Sequence, residues 1–190
     1  MVTASDLKEG VVIRWEDRLA RVTKVAHHTG SGQMSGFVAL TLKDLRSGHI
    51  SEVRMKPTDK VDTVNLQKRS MEFLYRDAEA FYFMDPESYE QYSIPRTLIG
   101  NIERFLKEGM PVTVELFEGE ALSLQFPKTV TLTVTMTGPG IKDTQSSTMK
   151  PATLENGMEI LVPQFIVTGD LVRVDVESGS YIERVTPHKA

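Results

Sequence analysis

The sequence predicts an all-β protein built of three small barrels in series. Two observations predict it. Short runs alternate apolar and polar side chains, the period that buries one face of a strand, and turn residues separate them at close intervals. Only one segment carries a helical period instead. The 190 residues are enough for two or three small domains, and 40% hydrophobic with 25% charged residues is ordinary for a folded chain.

In a first unit, residues 1–65, Arg18-Leu19-Ala20-Arg21-Val22-Thr23-Lys24-Val25 reads as a strand. Phe37–Asp44 repeats the pattern, and Arg46-Ser47-Gly48-His49 turns it into Ile50–Met55. Several strands in so short a stretch imply a closed barrel, because closure removes exposed sheet edges. In a second unit, residues 66–126, Met71–Tyr75 and Ala80–Met84 form a hairpin around Arg76-Asp77-Ala78-Glu79. A helix is expected next. Pro95 suits its first turn, Leu98, Ile99, Ile102, Phe105 and Leu106 share a face, and Gly109 lies past its end. Val112–Phe117 and Ala121–Gln125 return to strand, and a helix among barrel strands is compatible with an OB-type fold. The third unit, residues 127–190, has strands at Thr129–Met136, Met158–Pro163, Leu171–Asp175 and Tyr181–Val185. A polar loop from Thr137 through Met149-Lys150-Pro151 is expected to interrupt it.

Composition narrows the function. The absence of cysteine rules out disulfides, thiolate metal sites and a cysteine nucleophile. No apolar run has the length of a membrane span, and the N-terminus lacks the pattern of a secretory signal, so a cytoplasmic protein without membrane contact is expected. The net charge of −4 is unevenly spread: +2 over residues 1–65, −5 over 66–126 and −1 over 127–190. This suggests an RNA-facing first unit and an acidic centre that does not coat phosphate.

No catalytic constellation, metal site or cofactor motif is visible, and no enzyme is expected. His27-His28 is the one histidine cluster, and neighbours on a strand point to opposite faces, which disfavours joint chelation. Thr29-Gly30-Ser31-Gly32-Gln33-Met34-Ser35-Gly36 is glycine-rich, but it lacks the Gly-Lys-Ser/Thr ending and the following helix of a phosphate-binding loop. It is a hairpin connection longer than the usual two to five residues, at the kind of tip where function is placed. The loop Gly140–Thr148 has hydroxyls, amides and a lysine suited to RNA, although a solvated connection accounts for it equally. Trp15, Tyr75 and Tyr181 could stack on bases or fill the core and its rim.

Met71-Glu72-Phe73-Leu74-Tyr75-Arg76-Asp77, followed by Phe81-Tyr82-Phe83-Met84-Asp85-Pro86-Glu87-Ser88-Tyr89-Glu90-Gln91, closely resembles the second domain of bacterial elongation factor P. Gly138-Pro139-Gly140-Ile141-Lys142, Lys150-Pro151-Ala152-Thr153-Leu154-Glu155-Asn156-Gly157 and Val162-Pro163-Gln164-Phe165-Ile166 resemble the signature of that family's third domain. Gly169–Asp175 and Gly179–Val185 complete a match that covers essentially the whole chain. The resemblance implies an SH3-like (KOW-like) N-terminal barrel and two OB-type barrels arranged as an L. It also implies a monomer bound to the 70S ribosome between the P and E sites, beside peptidyl-tRNA, where the first domain's hairpin relieves stalling at consecutive prolines.

The functional tip implied by the resemblance is Thr29, Gly30, Ser31, Gly32, Gln33, Met34 and Ser35. Many members carry a modified Lys there, and some a glycosylated Arg. This loop has neither, so no Lys- or Arg-directed modification is expected. RNA-contact candidates are Lys24, His28, Lys43, Arg46 and Arg54 around the hairpin, with Lys142, Asp143, Thr144, Tyr181 and Arg184 in the third domain. Ile141-Lys142-Asp143-Thr144 lacks the glycine that commonly precedes the Asp-Thr pair. Two alternatives stand beside this expectation: a specialised paralogue serving other stalling sequences, and an RNA-binding module that has lost the translational role.

Overall fold

The computed structural model describes residues 1–30, 35–140 and 148–186. The expectations for Ser31, Gly32, Gln33 and Met34, and for Lys142, Asp143 and Thr144, fall outside the described residues. The fold is all-β, with three separate antiparallel sheets and one short α-helix among the described residues.

The first sheet contains β1 (Val2–Thr3), β2 (Val12–Trp15), β3 (Arg18–His28), β4 (Phe37–Asp44), β5 (Ile50–Met55) and β6 (Lys60–Val64), in the order β1-β6-β2-β3-β4-β5. Its core gathers Ile13, Ala20, Val22, Val38, Leu40, Leu42, Met55 and Val61, the inward positions of the alternating runs. In β3 the alternation is interrupted once. A bulge between Val22 and Lys24 leaves Thr23 outside the ladder, its hydroxyl donating to the Thr41 carbonyl at 3.1 Å. The extra residue lets Val22 and Val25 both pack on the core side while Lys24 stays exposed.

The second sheet comprises β7 (Gln67–Arg76), β8 (Ala80–Met84), β9 (Gln91–Pro95), β10 (Pro111–Phe117) and β11 (Glu120–Gln125), in the order β11-β10-β7-β8-β9. Phe81 and Phe83 are fully buried, and Phe73 packs on them at ring separations of 5.7 and 5.6 Å. Tyr82, between them in sequence, faces outward and stacks on Tyr75. The turn joining β7 to β8 is fixed by Asp77, whose carboxylate accepts the amides of Glu79 and Ala80 and the Tyr82 hydroxyl, each at 2.8 Å.

The expected helix is much shorter than its sequence pattern. Pro95 ends β9, α1 covers only Arg96–Ile99, and Gly100–Arg104 continues as a 3-10 turn. The α-helix stops at Gly100, whose φ of +59° lies in the left-handed region that the interior of a right-handed α-helix does not admit. The apolar face divides there. Ile99 is buried in the compact unit formed by Met1–Ile99 and Pro111–Gln125, whereas Ile102 and Phe105 pack on the core of the other, Gly100–Met110 with Phe126–Ala190.

The third sheet contains β12 (Thr129–Thr137), β13 (Met149–Leu154), β14 (Glu159–Pro163), β15 (Leu171–Asp175) and β16 (Tyr181–Val185), in the order β14-β13-β12-β15-β16. The expectation of a loop running through Pro151 fails here, because Met149, Lys150 and Pro151 open β13 and pair with Pro163, Val162 and Leu161. Lys150 is buried at 7% exposure and donates from Nζ to the Gly138 carbonyl at 2.7 Å, so its ammonium is satisfied at the root of the loop.

The first and second sheets join within one compact unit. Val12, Leu19 and Leu45 on the outer face of the first pack against Leu122 of β11, flanked by Val64, Leu66 and Phe117. Arg21 of β3 pairs with Glu115 of β10 beside this cluster and also donates to Ser123 Oγ at 3.1 Å, while Ser123 donates to Glu115 Oε2 at 2.6 Å. The Glu115 side chain is 6% exposed, so its charge depends on these partners. The neighbouring Arg46–Glu120 pair, at 2.8 Å, is exposed on both sides.

Two predictions follow from these contacts. Glu115→Ala lowers unfolding stability by about 1–3 kcal/mol, because Arg21 and Ser123 lose a shared, largely buried acceptor. Glu120→Ala changes it by about 0.5 kcal/mol or less, and urea denaturation of the two variants side by side measures the contrast. Backbone amides also hold three turn carboxylates below their ordinary range: Ala80 and Glu79 at Asp77, Glu87 foremost at Asp85, and Ser178 at Asp175. A depressed folded pKa stabilises the protein above the ordinary carboxylate range, and that contribution is lost as the pH falls from about 5. Stability measured against pH therefore declines on the acid side, and Asp77→Asn or Asp85→Asn makes the decline shallower.

Candidate functional site

The hairpin β3–β4 carries the candidate site. Its rungs run from Ala20↔Asp44 to His28↔Phe37, and the chain then leaves the ladder at Thr29. Below the bulge the outward positions are Lys24, Ala26 and His28 on β3 and Phe37, Ala39 and Thr41 on β4, opposite the core-facing Val38 and Leu40. His28 and Phe37, directly paired, stack with ring centroids 4.5 Å apart and planes 16° apart. From the neighbouring β5, the Arg54 guanidinium lies 5.1 Å from the Phe37 ring centre. His27 and His28 are both exposed, and among the described residues no group of His and carboxylates is placed to hold a metal ion.

The root of the loop is tightly closed. Thr29, Gly30 and Ser35 are exposed, and Gly36 returns the chain to β4 beside the opposite strand. A Cβ on Gly36 would lie 2.8 Å from the His28 carbonyl oxygen and 3.2 Å from the Gly30 nitrogen, both backbone atoms that cannot swing aside. The glycine is thus required by close approach rather than by an unusual φ.

The remaining first-domain candidates occupy different settings. Lys24 is exposed and Lys43 half-buried opposite Arg21 in the ladder. Arg46 follows β4 in a turn anchored by Asp44, whose Oδ1 accepts the amides of Arg46 and Ser47 at 2.8 Å each. Partial burial raises the Asp44 pKa, but the amides of Ser47 and Arg46 outweigh it and hold the carboxyl below its usual range. Arg46 also lines a groove of about 520 Å³ with Arg14, Arg18, Leu19 and Phe117. Asp17, Asp44 and Glu118 line the same groove, so its three arginines face three carboxylates, a mixture assembled from the β2–β3 hairpin, the turn after β4 and the end of β10.

In the third domain Tyr181 is half-buried against the core and Arg184 is exposed. The Arg184 guanidinium sits 5.5 Å from the ring centre of the exposed Phe165 and 3.8 Å from the Asp170 carboxylate. Phe165 is thus a neighbour that sequence reasoning placed only within a motif.

Replacement of Gly36 by alanine tests the closed root. Gly36→Ala is expected to cost about 1–3 kcal/mol, the usual range for forcing extra volume into a packed site. The signature is faster hydrogen exchange at the amides of the last β3–β4 rungs, and unchanged exchange would mean that the root has room for a side chain.

Three family profiles match in sequence order: the elongation factor P KOW-like domain over residues 3–61, the elongation factor P OB domain over 66–124 and the elongation factor P C-terminal domain over 130–184. Elongation factor P of Mycobacterium tuberculosis is 42% identical over 186 residues, covering 97% of this chain and 99% of its own. Elongation factor P of Coprothermobacter proteolyticus is 37% identical over 186 residues, covering 97% of this chain and all of its own (100%). Among solved structures, eukaryotic translation initiation factor 5A from Methanococcus jannaschii shares the fold, with a TM-score of 0.50 at 17% identity over 65% of this chain and 90% of its own. With three profiles in order and relatives matched over nearly their full length, the chain belongs to the elongation factor P family of translation elongation factors.

Proposed function

We propose that this protein binds the bacterial ribosome between the P and E sites as a cytoplasmic monomer and stimulates peptide-bond formation at runs of proline. The observation that carries this reading is the β3–β4 hairpin, a ladder whose outer face is fastened to the second domain at one end and whose other end carries the 29–36 loop. Such a hairpin can place a short loop against the end of a peptidyl-tRNA without itself supplying acid–base chemistry. The chemical need is positional. Proline fixes φ and presents a secondary amine, so donor and acceptor align poorly. Holding the donor in a reactive geometry recovers part of the rate that misalignment forfeits.

In this reading Thr29, Gly30, Ser31, Gly32, Gln33, Met34 and Ser35 approach the peptidyl-tRNA end, with Lys24, His28, Lys43, Arg46 and Arg54 along the nearby RNA. Lys142, Asp143, Thr144, Tyr181 and Arg184 form the third domain's RNA-facing set. The domains act as 1–65, 66–126 and 127–190. No cofactor, metal or catalytic residue takes part, and no lysine or arginine modification is needed at a tip that has neither residue. That uncharged tip also favours a second reading within the family, a specialised paralogue acting on other stalling sequences.

Reconstituted translation of a triple-proline reporter with purified, unmodified protein is the direct test. Restored full-length product is the expected outcome. No rescue at triple proline, with rescue at other stalling sequences, identifies the paralogue. No rescue on any sequence, with no co-sedimentation on ribosomes, overturns the translational reading.

A further inference from the structure

We propose that His28, Phe37 and Arg54 form a stacking platform for an unpaired nucleobase of the RNA end beside the hairpin; this rests on the reading of the chain as a factor acting next to peptidyl-tRNA. Phe37 lies on the outer face of the sheet, away from the core that Val38 and Leu40 fill. Because β4 runs between β3 and β5, His28 and Arg54 approach the Phe37 ring from opposite sides, at 4.5 Å and 5.1 Å from its centre. Both outer members are exposed, so the stack ends in planar groups open to solvent.

Unpaired bases bind by adding to such stacks, on aromatic rings or on guanidinium planes, and every base has a face to offer. The charged groups on this face of the hairpin and β5 favour a polyanion: with Arg21 already neutralised by Glu115, Lys24, Lys43 and Arg54 stand against one carboxylate of these strands, Glu52, which pairs with Thr41 behind the stack. The chemistry of the loop points the same way. Residues 29–36 contain no lysine or arginine, so the cation nearest the tip on this face comes from the stem. A guanidinium held over a ring can stack as well as attract phosphate, which an ammonium on a flexible stem does not do.

The test uses the full-length protein and an RNA hairpin with a four-nucleotide unpaired 3′ end carrying 2-aminopurine, whose fluorescence falls when it stacks. The wild-type protein is expected to quench the probe. Arg54→Lys, which keeps the charge, should abolish most of the quenching while weakening binding less than Arg54→Ala. Phe37→Leu, which keeps an apolar contact, should weaken binding roughly fivefold or more, as expected for losing one base stack. Absence of quenching by the wild type, or equal quenching by the wild type and Arg54→Lys, overturns the platform. Should Phe37→Leu misfold by circular dichroism, Arg54→Lys decides alone. Triple-proline rescue by the wild type, measured in parallel, separates the two levels. Rescue without quenching removes only the platform, and failure of rescue together with ribosome co-sedimentation removes the functional reading beneath it.

Discussion

The first half of the structure depends on one largely buried carboxylate. Glu115 projects from β10 toward the outer face of the neighbouring sheet, where Arg21 and Ser123 both donate to it. A charge removed from water is tolerable only when its hydrogen-bonding capacity is met by well-placed partners. The apolar contact of Val12, Leu19, Leu45 and Leu122 brings the two sheets together without fixing their alignment, since apolar contact is nondirectional. The directional Arg21–Glu115–Ser123 contacts supply a definite register to the same junction.

That register extends along β3 to the hairpin end. Arg21 is outward on β3, and the next outward position in a regular strand would be Thr23. The bulge resets the count, placing Lys24, Ala26 and His28 outward while Val25 stays packed on the core. Without the extra residue, Val25 and His28 would exchange faces, and His28 could not meet Phe37 on the outer side. The junction and the stack thus occupy one face of the ladder, with the bulge between them.

The sequence was most legible where strands are half-buried. Phe37–Asp44, Ile50–Met55, Leu171–Asp175 and Tyr181–Val185 are strands over the stretches their alternation indicated. Legibility failed where a residue's setting depends on distant chain. Met149-Lys150-Pro151 looked like loop because a lysine and a proline are poor strand residues, yet Lys150 finds the Gly138 carbonyl and Pro151 lies on the exposed face of β13. The helical period from Leu98 to Leu106 was present, but its apolar residues serve two cores, so the segment breaks at Gly100. At the site, Arg54 was recognisable as a cation near the hairpin and Phe37 as a strand residue. Their contact required the order β3-β4-β5, and the Arg21–Glu115 pair joins residues 94 apart in sequence.

These features offer a physical account of how a hairpin with an uncharged tip can serve a ribosomal factor. A charged side chain at the end of a long loop gains reach, but it must be ordered on binding at an entropic cost. A guanidinium already lying over a ring on a paired strand has lost much of that freedom in the folded protein, so less remains to be lost when RNA arrives. The glycine-limited loop root acts in the same sense, since Gly36 lets β4 begin directly against the backbone of β3. If the proposed platform is the contact, recognition lies on the stem rather than the tip, where backbone pairing and the bulge have already fixed the positions of His28, Phe37 and Arg54. On the proposed reading the uncharged side chains of residues 29–36 need only fit the space beyond the stem, and the orienting contacts are left to the sheet whose junction Glu115 holds in register.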